Sequence, residues 1–338
     1  MLGLLLPSQA VAPYPVLDAA RPPFAAAADG RRDAAPALQA ALDSAARLGG
    51  AEVRVPAGQY RIGATLVLRG HGIRLVGAGA GRTVLRADPA LEGPVLLAAG
   101  ADRHRRVRDV RVEALTADGT GARKRGRTVV VFLQRVEDAR VVGVEALASS
   151  DIGIGVGDGE PGSASSARVA IIGCVAHDNA GNGFDAANVE DVTFIGNVAR
   201  RNGGVTRPAA GFFSGHGRTS RVRWIGNVAE ANTGVAFHAS SGRPDAADQF
   251  TRDLEWTGNA ARGTVAATGW PGAALLLNRG GPGPTRMDGR YRLVGNRASG
   301  NHVDGGRFDG GVAAPEREGD AFGAPARPRG LTGSPRAP

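Results

Sequence analysis

Three titratable side chains lie in or beside consecutive short strand-like segments, where they could transfer a proton. Asp185 follows a Gly-Phe pair, His216 stands between two glycines, and His238 ends a segment of small and apolar residues. Removing a proton from carbon requires a base, an acid and a cation that offsets the developing charge. We predict that Asp185, His216 and His238 are catalytic; the alternative is that some of the six histidines share one face by chance.

Residues that could bind an acidic sugar lie close to these three in the sequence. Phe213 is predicted to point outward, where an exposed ring could stack on a sugar. Arg207, Arg218 and Arg243 are predicted to neutralise a uronate carboxylate, and Asn188 completes the predicted substrate-binding set. The chemistry that this set could support is removal of a proton from a carbon that bears a carboxylate, such as C5 of a uronate.

Carboxylates in the same region suggest a metal site as a further possibility. Ca²⁺ takes six to eight oxygen ligands, and Asp151 and Asp158 are the predicted ones. The alternative is that Asp158 belongs to a solvated turn. The predicted reaction itself requires no cofactor. The single cysteine excludes a disulfide scaffold and a Cys-based zinc or iron–sulfur site.

A repeated segment must position these residues. Short alternating strands end at Gly143, Gly173, Gly196, Gly226, Gly258 and Gly295, at steps of 30, 23, 30, 32 and 37 residues. Such strands cannot form an ordinary sheet alone, but stacked copies pair in parallel and bury one continuous core. The sequence therefore predicts an all-β fold, a single-stranded right-handed parallel β-helix.

Asparagines recur at the corners of these repeats. One row contains Asn197, Asn227, Asn259 and Asn296, and a second contains Asn179, Asn202, Asn232 and Asn301. An asparagine tolerates left-handed backbone, and its amide can bond to the asparagine of the next coil. Both rows are predicted to be structural ladders without a catalytic role.

The N-terminal part predicts a capping α-helix over 33–48. Asp33 is the predicted N-cap, and Pro36 falls in the first turn. The predicted apolar face consists of Leu38, Ala41, Leu42, Ala45 and Leu48. An amphipathic helix could cover the strand edges that an open end of a β-helix exposes.

Composition divides the chain into three parts. Residues 1–12 are similar to a truncated signal segment, which predicts a secreted or periplasmic bacterial protein. Residues 13–308 form the predicted β-helix domain. Residues 309–338, rich in Pro, Gly and Arg, are predicted to be a disordered tail.

The segment from Phe24 to Tyr60 resembles the start of a known superfamily. It contains Asp29-Gly30, the Ala-Leu-Gln-Ala-Ala-Leu helix and a Val-Pro-Ala-Gly-x-Tyr turn, and the later repeats extend the likeness over residues 24–308. The superfamily is that of the pectate-lyase-like, rhamnogalacturonase/epimerase-type β-helices. The resemblance implies the fold, while the superfamily includes lyases, hydrolases, epimerases, phage tailspikes and inert modules.

Two short motifs resemble particular members of this superfamily. Gly215-His216-Gly217 is similar to the Gly-His-Gly of polygalacturonase-type hydrolases. Gly183-Phe184-Asp185 resembles the start of the Gly-Phe-Asp-Pro-His-Asp motif of mannuronan C5-epimerases, which continues here as Ala186-Ala187-Asn188. The Pro and catalytic His of that motif are therefore absent, and His216 or His238 would have to replace the histidine from a neighbouring coil.

Charge and sequence patterns indicate which classes of binding partner are expected. The formal net charge is +9, and residues 103–127 contain nine cations and three anions, with Asp102 a fourth anion just before them. That segment is either a solvated loop or a wall that attracts a polyanionic chain. No nucleic-acid module is recognisable, and no apolar run is long enough to span a membrane. The predicted partner is an acidic polysaccharide; the oligomeric state stays open.

These observations leave three functional hypotheses. The first is a lyase or C5-epimerase that acts on an acidic polysaccharide. The second is a glycoside hydrolase of the polygalacturonase type, which would need a pair of carboxylates in the groove. The third is a non-catalytic glycan-binding or structural β-helix.

Overall fold

A computed structural model describes residues 14–100, 104–122, 128–157, 163–241, 249–278, 286–309, 312 and 315–320. Within these ranges the chain winds through three parallel sheets and contains a single α-helix, α1 (Ala35–Arg47). The predicted all-β parallel β-helix is confirmed. Its right-handed winding stays a prediction. In the same ranges, no helix has the length and apolarity to cross a membrane.

Most coils contribute one strand to each sheet, and these strands pair with their copies in the neighbouring coils. Sheet 1 consists of β1 (Val16–Asp18), β3 (Ala51–Val55), β6 (Ile73–Gly77), β9 (Val107–Arg108), β10 (Arg111–Glu113), β13 (Val136–Val142), β16 (Ser166–Ile172), β19 (Val189–Ile195), β22 (Arg218–Ile225), β25 (Phe250–Thr257), β28 (Arg286–Met287), β29 (Tyr291–Val294) and β32 (Glu316–Glu318). Sheet 2 consists of β2 (Asp29–Asp33), β4 (Gly58–Ile62), β7 (Thr83–Ala87), β11 (Thr116–Asp118), β14 (Glu145–Leu147), β17 (Val175–His177), β20 (Val198–Arg200), β23 (Val228–Glu230), β26 (Ala260–Arg262) and β30 (Arg297–Ser299). Sheet 3 consists of β5 (Leu66–Leu68), β8 (Leu96–Ala99), β12 (Val131–Gln134), β15 (Ile154–Val156), β18 (Phe184–Ala186), β21 (Ala209–Gly215), β24 (Gly234–Ser240), β27 (Ala273–Asn278) and β31 (Val303–Asp309).

The core is formed by inward side chains that stack from coil to coil. Phe184, Phe212 and Phe237, on three consecutive strands of sheet 3, stack with ring centroids 4.9 Å apart at each step. Phe194 and Trp224 stack at 3.9 Å behind sheet 1. Alternation along each strand therefore sends the neighbours of these rings to the outer face.

The corner asparagines form the ladders that the sequence predicts. The Nδ2 of Asn197 donates to Oδ1 of Asn227 at 2.9 Å, and Asn227 donates likewise to Asn259 at 3.0 Å. Gly196 and Gly226, which precede two of these asparagines, have φ values of +62°, a conformation that favours glycine. In the second row, Thr264 stands between Asn232 and Asn301, where its N–H donates to Asn301 Oδ1 at 2.9 Å.

Helix α1 lies against the N-terminal edge of sheet 3. Gln39 binds the edge strand β5 through both of its amide atoms: Oε1 accepts from the N–H of Val67 at 2.8 Å, and Nε2 donates to its carbonyl at 3.1 Å. The N-cap is Ala34, so the prediction of Asp33 as N-cap is wrong by one residue. Leu48 follows the helix and is 56% exposed, contrary to the predicted apolar face. The capping role of the helix stays a prediction.

The solenoid continues beyond the predicted boundary at residue 308. Strand β31 extends to Asp309, and β32 pairs in parallel with β29. Strand β32 has the sequence Glu-Arg-Glu, so it offered no apolar alternation by which the sequence could reveal it. Residues 1–12 and 321–338 lie outside the described residues.

Candidate active site

A cavity of about 500 Å³ lies on the outer face of sheet 3. Asp185, Phe213 and His238 are direct partners in the register of β18, β21 and β24, and all three line the cavity with His216. Aligning the repeats by their glycines pairs Gly211 with Gly234, which predicts His238 one outward row beyond Asp185 and Phe213. That prediction is wrong, because the backbone of Gly234 pairs with Ala209.

Gly234 explains this register. Its φ is +133°, and a Cβ at this position would lie 2.4 Å from the carbonyl oxygen of Ala209. The close approach of the two backbones therefore requires glycine opposite an alanine, and a glycine-to-glycine alignment misplaces the strand by two residues.

The Asp185 carboxyl is held by an asparagine whose orientation is fixed. The N–H of Ala210 donates to Oδ1 of Asn182 at 2.8 Å, so Nδ2 of Asn182 must face Asp185, to which it donates at 2.9 Å. Burial raises the pKa of Asp185 to about 7; the Asn182 hydrogen bond lowers it in part, and the charge of Asp151 raises it further. Asp185 can thus exchange a proton near neutral pH.

His238 lies between two aromatic rings. Its ring is 5.1 Å from Phe213 and 5.2 Å from Trp270, both edge to face. Nε2 donates to Oδ1 of Asn278 at 3.0 Å, which leaves Nδ1 as a bare acceptor. That Nδ1 is buried and has no hydrogen-bond partner among the described residues. Burial lowers the pKa of His238 to about 4, so the ring is neutral at physiological pH.

Phe213 is 5% exposed, so the prediction of an exposed stacking ring is wrong. The rings of His216, at 5.0 Å, and His238 pack against it. Gly215 makes room for it, because a Cβ there would lie 2.8 Å from Cζ of Phe213. Phe213 therefore forms part of the cavity wall and fixes the two histidine rings.

His216 lies at the corner after β21, with a φ of +55°. Its carbonyl accepts from the N–H of Asn188 at 2.9 Å and from Oγ1 of Thr219 at 2.9 Å. These contacts hold the corner, and the imidazole lines the cavity beside Phe213.

Two tight hairpins deliver further side chains to the cavity. Gly204 and Arg207 exchange backbone hydrogen bonds of 2.9 and 3.1 Å before β21. Ala267 and Trp270 do the same at 2.8 and 3.2 Å before β27. Arg207 and Trp270 both line the cavity as a result.

Arg207 is bound to Asp151. Its Nη2 contacts Oδ1 of Asp151, and Nη1 donates to the carbonyl of Ser150 at 2.6 Å. Asp151, a predicted metal ligand, thus has a guanidinium as its partner, and Gly181 leaves the space that its carboxylate occupies. Within the described ranges, no three acidic, His or Cys side chains are grouped to hold a metal ion. The second predicted ligand, Asp158, lies outside those ranges.

The remaining predicted binding residues are not in the cavity. Asn188 is buried at a corner, where its Nδ2 donates to the carbonyl of Ser163 at 3.2 Å, so its predicted contact with substrate is wrong. Arg218 is exposed at the start of β22 and is not among the residues that line the cavity. Arg243 lies outside the described residues.

Sequence reasoning missed Asn182 and Trp270. Asn182 occupies the position that Ile152 and Ala210 hold in neighbouring coils, so a polar residue at an apolar position was the available signal. Trp270 lies in the turn-like segment Gly-Trp-Pro-Gly, where a large aromatic residue is unusual and points to a function.

Comparison with known proteins agrees with this fold. The family described as rhamnogalacturonase A/epimerase, pectate lyase-like, matches residues 23–104. Mannuronan C5-epimerase AlgE3 of Azotobacter vinelandii is 33% identical over 194 residues, which cover 53% of this chain and 10% of that protein. Alginate lyase 7 of the same organism is 31% identical over 206 residues, covering 53% of this chain and 22% of that protein.

Among solved structures, the A-module of A. vinelandii mannuronan C5-epimerase AlgE4 has a TM-score of 0.61 at 20% identity. The match covers 93% of this chain and 100% of that one, and it shows the fold. The chain is therefore a parallel β-helix protein. More narrowly, its residues 23–104 are similar to the pectate-lyase-like family. It spans only 10% and 22% of the length of the two relatives above.

Proposed function

We propose that this protein removes the C5 proton from uronate residues of an acidic polysaccharide, as a lyase or a C5-epimerase. One observation carries the proposal: the Asp185 carboxyl, whose pKa is about 7, lines the same cavity as the Arg207 guanidinium and His238. A carboxyl that titrates near neutral pH suits general acid–base catalysis. The names of the relatives, alginate lyase 7 and mannuronan C5-epimerases, support uronate as the substrate class.

In the proposed reaction, ionised Asp185 accepts the C5 proton. Negative charge then develops on the uronate carboxylate, and Arg207 offsets it with N–H groups that Asp151 and Ser150 do not use. In a lyase, the electron pair forms the C4=C5 double bond as the C4–O bond breaks, and the leaving oxygen takes a proton. In an epimerase, a proton returns to the opposite face of C5.

The second proton-transfer group would be one of the two histidines. Because Nδ1 of His238 carries no proton, His238 could act only as the base, with Asp185 as the acid. When Asp185 is the base, His216, which also lines the cavity, would donate the proton to the leaving oxygen or to C5. His238 lies two strands from Asp185, about 10 Å at the usual strand spacing, and Phe213 on the strand between them forms the wall over which a sugar ring would lie. We further propose that the reaction needs no metal ion. We also propose that the protein acts as a secreted or periplasmic protein, where such polysaccharides occur.

The test is proton NMR of polymannuronate incubated with the protein in deuterated water. Loss of the H5 signal is expected with the wild type and not with Asp185→Asn. Appearance of a double bond would then identify a lyase, and appearance of guluronate an epimerase. Absence of exchange on polymannuronate, polygalacturonate and a glycosaminoglycan, with and without Ca²⁺, would contradict the proposal and favour hydrolysis or binding alone.

The pH dependence provides a second test. If Asp185 is the base, the exchange rate rises with pH and reaches half its plateau near pH 7, because only the ionised carboxylate accepts a proton. A rate that falls with pH through the same region would assign Asp185 as the acid instead.

A further inference from the structure

A second cavity, of about 490 Å³, lies where sheet 3 turns into sheet 1. Its lining includes His71, Arg105, Arg106, Arg108 and Glu137, and Ala164 closes one side. Three of these arginines come from the cation-rich segment 103–127 that the sequence left as either a solvated loop or a wall. The structure brings two of them, Arg106 and Arg108, to one carboxylate, that of Glu137.

Glu137 is shared by three guanidinium groups. Its Oε2 accepts from Nε of Arg108 at 2.8 Å, while Oε1 accepts from Nη2 of Arg168 at 2.5 Å and lies 3.6 Å from Nη1 of Arg106. Arg168 and Arg108 hold the pKa of Glu137 below its usual range, so this carboxylate is ionised. Arg106 also donates to the carbonyl and Oγ of Ser165 at 2.7 and 2.9 Å, and Arg168 donates to Asp138. Among the described contacts, Arg108 therefore keeps the most N–H groups for a further acceptor.

The donors of the lining therefore outnumber its acceptors. Among the described contacts, Arg108 uses a single side-chain N–H of the five that a guanidinium carries. His71 adds another donor: its Nδ1 accepts from the backbone N–H of Arg108 at 3.0 Å, so its ring proton is on Nε2. A cavity rich in fixed cationic donors is complementary to carboxylate groups.

The two cavities lie on either side of one corner of the solenoid. Phe132, on β12, lines the first cavity, and Glu137, on β13, lines the second. Five residues separate them, so their Cα atoms are at most about 17 Å apart. A polysaccharide bound in the first cavity can reach the second within a few sugar units.

We propose that this second cavity binds carboxylates of the same polyuronate chain at a distance from the reacting residue. This proposal rests on the proposed function for the identity of the ligand. Its consequence is a preference for long chains, which occupy both cavities, over short ones, which occupy only the first.

The experiment adds one charge to the second cavity without removing any native contact. Ala164→Glu introduces a carboxylate that would compete for the arginines, and Ala164→Gln is the matched neutral control. Binding of a long oligomannuronate and of its trimer is measured by calorimetry at low and high salt, in the Asp185→Asn background to prevent turnover. Melting temperatures establish that both variants fold.

We expect Ala164→Glu to weaken binding of the long chain about tenfold relative to Ala164→Gln at low salt, with a smaller difference at high salt. Trimer binding should not differ between the two variants. Equal affinities of both variants for the long chain would overturn the proposal. Loss of affinity without H5 exchange by the wild type would instead retain the second site and reject the proposed reaction.

Discussion

Two histidine–aspartate regions of this solenoid, one on sheet 2 and one on sheet 3, have the same residue types and opposite electrostatics. His177 and His238 are each 8% exposed. On sheet 2, both ring nitrogens of His177 face carboxylates, Asp178 at 2.6 Å and Glu145 at 3.2 Å. On sheet 3, His238 has two aromatic rings and one amide as its neighbours.

The aspartates differ in the same way. Arg201 binds both oxygens of Asp178, at 2.8 and 2.7 Å, and with His177 it lowers the pKa of Asp178 to about 2. Burial without a cation raises the pKa of Asp185 to about 7. The charged groups that contact a carboxyl, rather than its burial alone, therefore decide whether it can exchange a proton at neutral pH. The sheet 2 cluster, formed by His177, Asp178, Glu145 and Arg201, is suited to stabilising the fold. The sheet 3 cavity is suited to proton transfer.

The sharpest test of this difference compares the two aspartates in catalysis. Asp185→Asn should lower the H5 exchange rate by at least about 100-fold, since a general acid–base group contributes roughly 10²–10⁴-fold. Asp178→Asn, the matched control on sheet 2, should leave the rate within about threefold of wild type. Comparable losses in both variants would show that the distinction between the regions is wrong.

A second, smaller effect concerns Trp270, which the sheet 3 cavity has and the sheet 2 cluster lacks. Trp270→Ala should raise KM for oligomannuronate about tenfold, because the ring that lines the cavity is lost, while Trp270→Phe should retain most of the affinity. Val205→Ala, at the exposed tip of the other hairpin, serves as the control. An unchanged KM in Trp270→Ala would remove this ring from the binding surface.

The two aspartates should also affect stability at opposite ends of the pH range. Asp178 has a lowered pKa, so its stabilisation is present above about pH 4 and is lost as pH falls toward 2. Asp185 has a raised pKa, so wild-type stability declines as pH rises from about 4 through 7. Thermal melts should show Asp178→Asn several degrees below wild type at pH 7, and Asp185→Asn above wild type at pH 8.

Burial of His238 should also make stability depend on pH. The pKa of His238 is lowered to about 4, so wild-type stability is lost as pH falls from 6.5 toward 4, where only the unfolded chain binds the proton readily. His238→Gln should therefore lose less stability than wild type, by about 2 kcal/mol, between pH 7 and 5. Urea unfolding at both pH values measures this difference, and an equal loss in both proteins would contradict the assigned burial effect.

The features that the sequence could predict are those that every coil repeats. The Gly-Asn corners and alternating strands repeat because every coil meets the same backbone and packing requirements, so the β-helix and its ladders follow from pattern alone. Asp185, His216 and His238, the three residues singled out from the sequence, line one cavity, because alternation sends Asp185 and His238 to the outer face and His216 follows at the corner after β21.

The contacts that pattern could not predict depend on insertions between coils. Arg207 reaches Asp151 through a hairpin, and Trp270 reaches His238 through another, both outside the repeat. The burial of Phe213 likewise depends on two rings from different coils. Such contacts are set by three-dimensional loop paths, which spacing in a single sequence does not encode.

The first asparagine ladder is directional. Every Nδ2 donates toward the C-terminal end, beginning at Asn197, and the final donor, Asn296, meets Oδ1 of Asp320 at 2.7 Å. The Oδ1 of Asp320 accepts this hydrogen bond, and the side chain has no amide N–H that would need an acceptor in a further coil, as another asparagine would. All hydrogen bonds between the side chains of this row therefore run in one direction. A coil with another asparagine could be inserted within the row, but the last position requires a side chain that only accepts.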